Sequence, residues 1–281
     1  MRRAVTPARV RVLENDGDHT RDDVLATEEP LEIRLAAGDG DTRPVAVTMR
    51  TPGADFELAA GFLLTEGIVD GHAAVRRIDY CIDPGLPDRQ RYNVVTVHLA
   101  AAHLPALSSL DRYGVVSSAC GVCGKASLEA LQSRGVTPLV PANRPAVARD
   151  VVYALPDALR AAQGAFHRTG GLHASGLFAA ADGSPIVVRE DIGRHNTVDK
   201  VAGWALMKDR LADLAGSVLM VSGRAGFEIV QKAAAARIPV VCAVSAPSSL
   251  AVAAAEELGL TLVGFLRGRR ANVYAGADRL V

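Results

Sequence analysis

Nowhere in this 281-residue chain do about 18 consecutive apolar residues occur, roughly the length a membrane-crossing helix needs. The first residues, Met1 to Val12, carry arginines but no apolar stretch of signal-peptide length. Neither a membrane anchor nor a secretory leader is expected, and the cytoplasm is the expected compartment. An excess of charge is missing too. Lysine plus arginine and aspartate plus glutamate stand at 31 each, so no global basic field invites nucleic acid or a membrane surface. An anionic partner has to be held by local groups. Cysteine is scarce: four residues give no disulfide framework, and in a reducing compartment an adjacent pair reads as reactive. With 49% hydrophobic and 22% charged residues the chain is ordinary globular material, long enough for one large or two modest cores, and two are expected.

Two of the four cysteines stand together in Ser117-Ser118-Ala119-Cys120-Gly121-Val122-Cys123-Gly124-Lys125. Glycine beside each thiol frees the backbone for a loop that presents sulfur to something large. Lys125, and any helix N-terminus beyond it, favours the thiolate, which is both the nucleophile and the metal ligand. A lone C-x-x-C serves equally as half a structural zinc site or as a redox or sulfur-handling pair. Zinc needs two more ligands, and Cys81, Cys242 and the seven histidines show no paired ligand spacing, so no metal is expected. A zinc deaminase signature would place an H-x-E before P-C-x-x-C, but Ala119 stands at the proline position. A phosphate loop would require glycine at Ala119 and a hydroxyl at Ala126. A thioredoxin-type dithiol is compatible with the spacing alone.

The charged segment 1–20, containing Asn15-Asp16-Gly17-Asp18, reads as a loosely held end. Glu29 to Leu35 and Pro44 to Met49 alternate apolar and polar residues around Gly38-Asp39-Gly40-Asp41, the pattern of a hairpin. Pro52-Gly53-Ala54-Asp55 opens a helix through Phe56 to Leu64 that stops at Gly67, and Asn93 to Leu99 is a further strand. These make a small α+β unit, 21–112, followed by a mobile thiol loop, 113–125, and an α/β unit, 126–281. Ser127 to Arg134 and Leu155 to Gly164 read as helices, and strands flank an Asp182-Gly183 turn.

Beyond residue 217 strands and helices alternate. Val218-Leu219-Met220-Val221, Ile238 to Val244 and Leu260 to Leu266 read as buried parallel strands, with helices Phe227–Arg237 and Leu250–Leu258 between them. The turns Ser222-Gly223-Arg224-Ala225-Gly226 and Ser245-Ala246-Pro247-Ser248-Ser249 therefore share the carboxyl edge of the sheet, where ligands bind. A glycine turn before a helix start is an anion site, and Arg224 adds a guanidinium. Ser248 or Ser249 alone reads as a helix cap. Phe265-Leu266-Arg267-Gly268-Arg269-Arg270 follows the third strand and brings three arginines, the residue suited to forked phosphate contacts. His167, His173 and His195 read as structural or substrate-contacting. Glu190 and Asp191 read as orienting Arg194 or His195, and Cys81 and Cys242 as small buried hydrophobes.

Five motifs then carry a resemblance: the thiol stretch 117–125, Thr169-Gly170-Gly171-Leu172-His173-Ala174, Glu190-Asp191-Ile192-Gly193-Arg194-His195-Asn196-Thr197-Val198-Asp199-Lys200, Ser222 to Glu228, and Ser245 to Ala251. In this order they resemble the formate dehydrogenase accessory sulfurtransferase family, FdhD, from about residue 25 to the end. The resemblance implies a sulfur carrier and homodimer whose C-terminal domain is a cytidine-deaminase-like three-layer α/β unit with a mixed sheet, beside the smaller N-terminal α+β domain. It implies that Cys120 takes persulfide sulfur from a cysteine desulfurase, with Cys123 assisting. The sulfur then passes to the molybdenum cofactor, in its bis(molybdopterin guanine dinucleotide) form, before insertion into formate dehydrogenase. Phe265, Leu266, Arg267, Gly268, Arg269 and Arg270 match the cofactor-binding stretch, and Ser222, Gly223, Arg224, His173 and Ser245 are expected beside them. A zinc-holding chaperone and a dithiol oxidoreductase are the competing readings of the thiols.

Overall fold

The structure, a computed structural model, describes residues 3–38, 40–81, 92–105, 136–139 and 145–281. The thiol stretch with Cys120 and Cys123, and the expected helix from Ser127 to Arg134, lie outside the described residues.

The segment expected to be a loose end is instead a hairpin. Strands β1 (Val5–Glu14) and β2 (Gly17–Ala26) pair along their whole length, closing on Asn15-Asp16 with Gly17 at φ 136°. The signal was present: Ala8, Val10 and Val12 alternate with Arg9 and Arg11, and an Asn-Asp-Gly turn follows. Charge density masked it.

A four-stranded sheet follows, in the order β4-β3-β6-β5, from β3 (Glu29–Ala36), β4 (Thr42–Arg50), β5 (Val75–Tyr80) and β6 (Val94–Leu99). Leu31, Ile33 and Leu35 alternate along β3 and are fully buried, as are Val95 and Val97 on β6. Helix α1 (Asp55–Thr65) is buried from Leu58 to Thr65 without a polar stripe, the mark of a helix covered on all sides.

The main sheet has six strands in the order β12-β11-β10-β9-β7-β8. Strands β9 (Ser217–Val221), β10 (Val240–Ala243) and β11 (Thr261–Arg267) are parallel, as the alternation with α5 (Phe227–Ala235) and α6 (Ser249–Glu257) predicts. The hairpin β7 (His173–Ala179) and β8 (Pro185–Asp191) adds antiparallel to β9, and β12 (Arg270–Ala275) antiparallel to β11, so the sheet is mixed. Residues Arg267 to Arg270, read as a cation run, make the β11–β12 hairpin.

Helix α2 (Arg149–Ala161) starts six residues before the expected Leu155 and runs through Pro156. Its Val152, Leu155 and Leu159 are buried against Val218, Met220 and Val263 on one face of the sheet. Burying such side chains stabilises by about 1.5–3 kcal/mol each, which outweighs the roughly 3 kcal/mol cost of an interior proline. The short α3 (Gly164–Thr169) follows, and α4 (Arg194–Met207), α5 and α6 supply core residues on the opposite face. One hydrophobic cluster runs from Leu31 on β3 through Leu58 on α1 and Val201 on α4 to Leu262 on β11, so the N-terminal unit and the α/β body share a core. Among the described residues no helix is long and apolar enough to cross a membrane.

Candidate functional site at the carboxyl edge of the main sheet

Three parallel strands end at one edge, and the turns that follow them are stitched side by side. Ala225 N donates to the Ala246 carbonyl (3.2 Å), Ser248 N to the Ala225 carbonyl (3.1 Å), and Phe265 N to the Ser245 carbonyl (3.1 Å). Gly264 is required there, since a Cβ would stand 2.9 Å from Pro247 Cδ. The antiparallel β7 begins at this edge, so His173 joins the turn after β9. Ala174 N donates to Ser222 Oγ (2.9 Å) and Ser222 N to the Ala174 carbonyl (2.9 Å). A Cβ on Gly223 would sit 3.3 Å from His173 Nδ1, so glycine lets that turn close on the imidazole.

The register pairs His173 with Asp191, the last residue of β8, and α4 opens three residues later with Arg194 and His195. His195 Nε2 lies 2.9 Å from Glu228 Oε2 in the first turn of α5. Burial, then the charges of Arg194, His195 and Arg224, hold His173 below the usual histidine range. The hydrogen bond from His195 pulls Glu228 below the usual carboxylate range against a burial cost.

His173, Ser222, Gly223 and Arg224 thus lie together at this edge, while the Ser245 carbonyl accepts from Phe265 N and its turn joins theirs through Ala225 and Ala246. The Ser222 hydroxyl is engaged by backbone, and Ser248 Oγ caps α6 by accepting from Ala251 N. The stretch from Phe265 is divided. Phe265 is 45% exposed in left-handed backbone (φ 51°) at a bulge in β11, a conformation costing about 1–2 kcal/mol for a residue with a Cβ. Leu266 is fully buried against α2. Gly268, at φ 50°, forms the turn between exposed Arg267 and Arg270. Arg269 is directed to α2, where it pairs with Asp150 (2.7 Å) and stacks over the Tyr153 ring. Cys120 and Cys123 lie outside the described residues.

The motif from Glu190 to Lys200 proves largely structural. Glu190 accepts from the Ala165 and Phe166 amides, and Asp191 binds Lys200 (2.7 Å), Asn196 (2.9 Å) and the Thr51 amide (3.1 Å). The reading that Glu190 and Asp191 orient Arg194 or His195 gives way to these contacts. Asp199 meets Lys232 (2.9 Å) and Thr65 (2.6 Å) between α4, α5 and α1. Burial opposes the Lys232 charge, but Asp199 and Glu66 outweigh it and push its pKa up to about 12. Sequence reasoning also passed over Arg50, fully buried and forked onto Asp55. Cys242 is the buried hydrophobe expected, its thiol pushed up to about 12 by burial. Among the described residues no group of three His, Cys, Asp or Glu is placed to hold a metal ion.

Comparison with known proteins gives a consistent result. The FdhD/NarQ family model matches residues 26–281. A protein of Mycobacterium tuberculosis named sulfur carrier protein FdhD is 52% identical over 281 residues, 99% of each chain. Its namesake in Streptomyces coelicolor is 52% identical over 262 residues, 93% of this chain and 90% of that one. The crystal structure of a formate dehydrogenase accessory protein from Desulfotalea psychrophila superposes with a TM-score of 0.74 at 24% identity, covering 99% of this chain and all of that one, and so shares the fold. The motifs, the mixed α/β architecture and these likenesses agree, and the chain belongs to the FdhD/NarQ family.

Proposed function

We propose that this protein is a sulfur carrier required for formate dehydrogenase activity, a sulfurtransferase that works through a persulfide on Cys120. The observation that carries the reading is the 52% identity, over nearly the whole chain, to proteins named as sulfur carriers. In the proposed first step the Cys120 thiolate attacks the outer sulfur of a cysteine desulfurase persulfide. The donor S–S bond breaks, the donor cysteine leaves as thiolate, and Cys120 holds the sulfur as a persulfide anion. Cys123 assists or resolves this state. The Cys123 thiolate then attacks Cys120 Sγ, a Cys120–Cys123 disulfide forms, and the terminal sulfur leaves as hydrosulfide, which replaces an oxygen ligand of the molybdenum cofactor, the substrate, in its bis(molybdopterin guanine dinucleotide) form, the oxygen departing as water. The charged cofactor is handed to formate dehydrogenase.

The carboxyl edge is the site assigned to the cofactor. Its turns supply free amides and guanidiniums suited to phosphate, and Phe265 offers an exposed aromatic face. Holding the cofactor there makes the transfer a positioned reaction rather than a chance encounter. The α/β body is the counterpart of the cytidine-deaminase-like domain. The protein acts in the cytoplasm as a homodimer without a structural metal and without engaging nucleic acid or membrane.

The test is to load wild type and Cys120→Ala with labelled sulfur from a desulfurase and follow the label into formate dehydrogenase. The expected result is transfer by wild type and none by the variant; equal transfer by both removes Cys120 from the reaction.

A further inference from the structure

A persulfide brings sulfur at the oxidation level of a disulfide, whereas the sulfur that leaves as hydrosulfide is fully reduced. Each delivery therefore consumes two electrons, and in a route built from thiol exchange they come from thiols. The chain has four, at Cys81, Cys120, Cys123 and Cys242. Cys242 is fully buried in β10 with its thiol pushed up to about 12, so it is closed to a sulfur partner and keeps its proton near neutrality. Cys81 follows β5, half-buried, with its amide bonded to the Val94 carbonyl of the neighbouring strand β6 (2.9 Å). Cys123 is separated from Cys120 by only two residues in sequence, the spacing of dithiol redox motifs. The two electrons thus come from the Cys120–Cys123 pair, which ends each delivery as a disulfide and has no thiolate left to accept the next sulfur.

We infer that the protein halts after one delivery until a dithiol reductant reopens the Cys120–Cys123 disulfide, so that a thiol–disulfide exchange reaction separates one sulfur loading from the next. The inference rests on the persulfide reading of Cys120 and adds the reaction class that must follow it. One thiolate of the reductant attacks a sulfur of the pair. The Cys120–Cys123 bond breaks, a mixed disulfide forms with one cysteine, and the other leaves as thiolate. The reductant's second thiolate then breaks the mixed disulfide. Both cysteines are returned reduced, and the reductant departs as its own disulfide. A monothiol serves poorly, because the freed thiolate stands beside the mixed disulfide and expels the monothiol before a second molecule arrives from solution. A dithiol completes its second step within the same encounter.

To test this, full-length protein is loaded by a desulfurase with one equivalent of labelled cysteine and desalted. It is then given formate dehydrogenase and its cofactor in thiol-free, oxygen-free buffer. Delivery of one labelled sulfur per chain is expected, with a Cys120–Cys123 disulfide in the peptide map afterwards. A second loading is expected to fail until dithiothreitol is added, and glutathione at equal thiol concentration is expected to restore it roughly tenfold more slowly. Cys123→Ser is expected to load, to deliver roughly tenfold more slowly or worse, and to form no disulfide. Cys81→Ser is expected to match wild type. Reloading of a discharged chain without reductant, equal restoration by glutathione, or a disulfide that maps to Cys81 or Cys242 overturns the inference while leaving the Cys120 persulfide intact. Absence of label on Cys120 after the first loading overturns both.

Discussion

His173 sits where an ordinary histidine would be half-protonated near neutrality, yet burial and its cationic neighbours keep the proton off. The consequence for stability has a definite sign. The unfolded chain takes up a proton on this side chain as pH falls through about 6.5, whereas the folded chain resists until its lower pKa is reached. Stability from this group is therefore fully present above about 6.5 and declines as the solution is acidified from there toward the lower, folded-state value. His173→Asn removes the term. Urea midpoints compared at pH 7.5 and pH 5.5 are expected to fall less in the variant than in wild type, and parallel declines would contradict the assignment. The same scale separates the Cys242 thiol from the carrier role. Cys242 is fully buried with its thiol pushed up to about 12, so it offers no thiolate to a donor near neutral pH.

At the scale of elements, the contact that locks the N-terminal unit to the α/β body is the crossing of α1 and α4. A Cβ on Gly61 would collide with the Asp199 carbonyl oxygen, and one on Gly203 with that of Glu57, so the two backbones touch. Intrinsic propensity favours Gly61→Ala by about 1 kcal/mol in an isolated helix. The crossing reverses the sign, because the helices must part and the buried Asp199–Lys232 pair must shift with them. Gly61→Ala is expected to destabilise by about 3 kcal/mol or more, read as a lower chemical-denaturation midpoint. A midpoint at or above wild type would show that the crossing has slack.

Several elements were legible in the chain because their signals are local. The three buried parallel strands announce themselves by apolar runs separated by helical periods, and α1 by its start after Pro52-Gly53. The first hairpin was hidden by its charge, and β12 by the arginines that form its turn. Those residues obey strand periodicity but carry side chains typical of loops. The close approach at Gly61 could not be read at all, since a glycine inside an apolar helix looks like a defect until its partner is known. The site was legible in part. Strand and turn order placed the Ser222 and Ser245 turns on one edge and brought His173 to it, but the partition of the Glu190–Lys200 motif depends on which residues face α1, a tertiary fact. Leu266 and Arg269 illustrate the same limit: neighbours in sequence, they face α2 rather than the edge.

For the whole molecule, the core begins after the first hairpin. Neither hydrophobic cluster contains a residue from β1 or β2, and the family match likewise starts at residue 26. An isolated two-stranded hairpin contributes little stability of its own. Removal of residues 1–25 is expected to move the thermal midpoint by no more than a few degrees, about what 1 kcal/mol does to a chain of this size. Loss of cooperative melting would show that the hairpin completes the fold. The body left behind contains both halves of the account, a cation-lined edge and a thiol pair supplied by the segment between the two sheets.

The central claim is that sulfur rides on Cys120, and mass spectrometry of the intact protein after incubation with a desulfurase and cysteine tests it most directly. The account predicts a gain of one sulfur, mapped to the peptide that carries Cys120, reversed by a thiol reductant and absent from Cys120→Ala. A gain that persists undiminished in Cys120→Ala, or no gain in the wild-type protein, would contradict it.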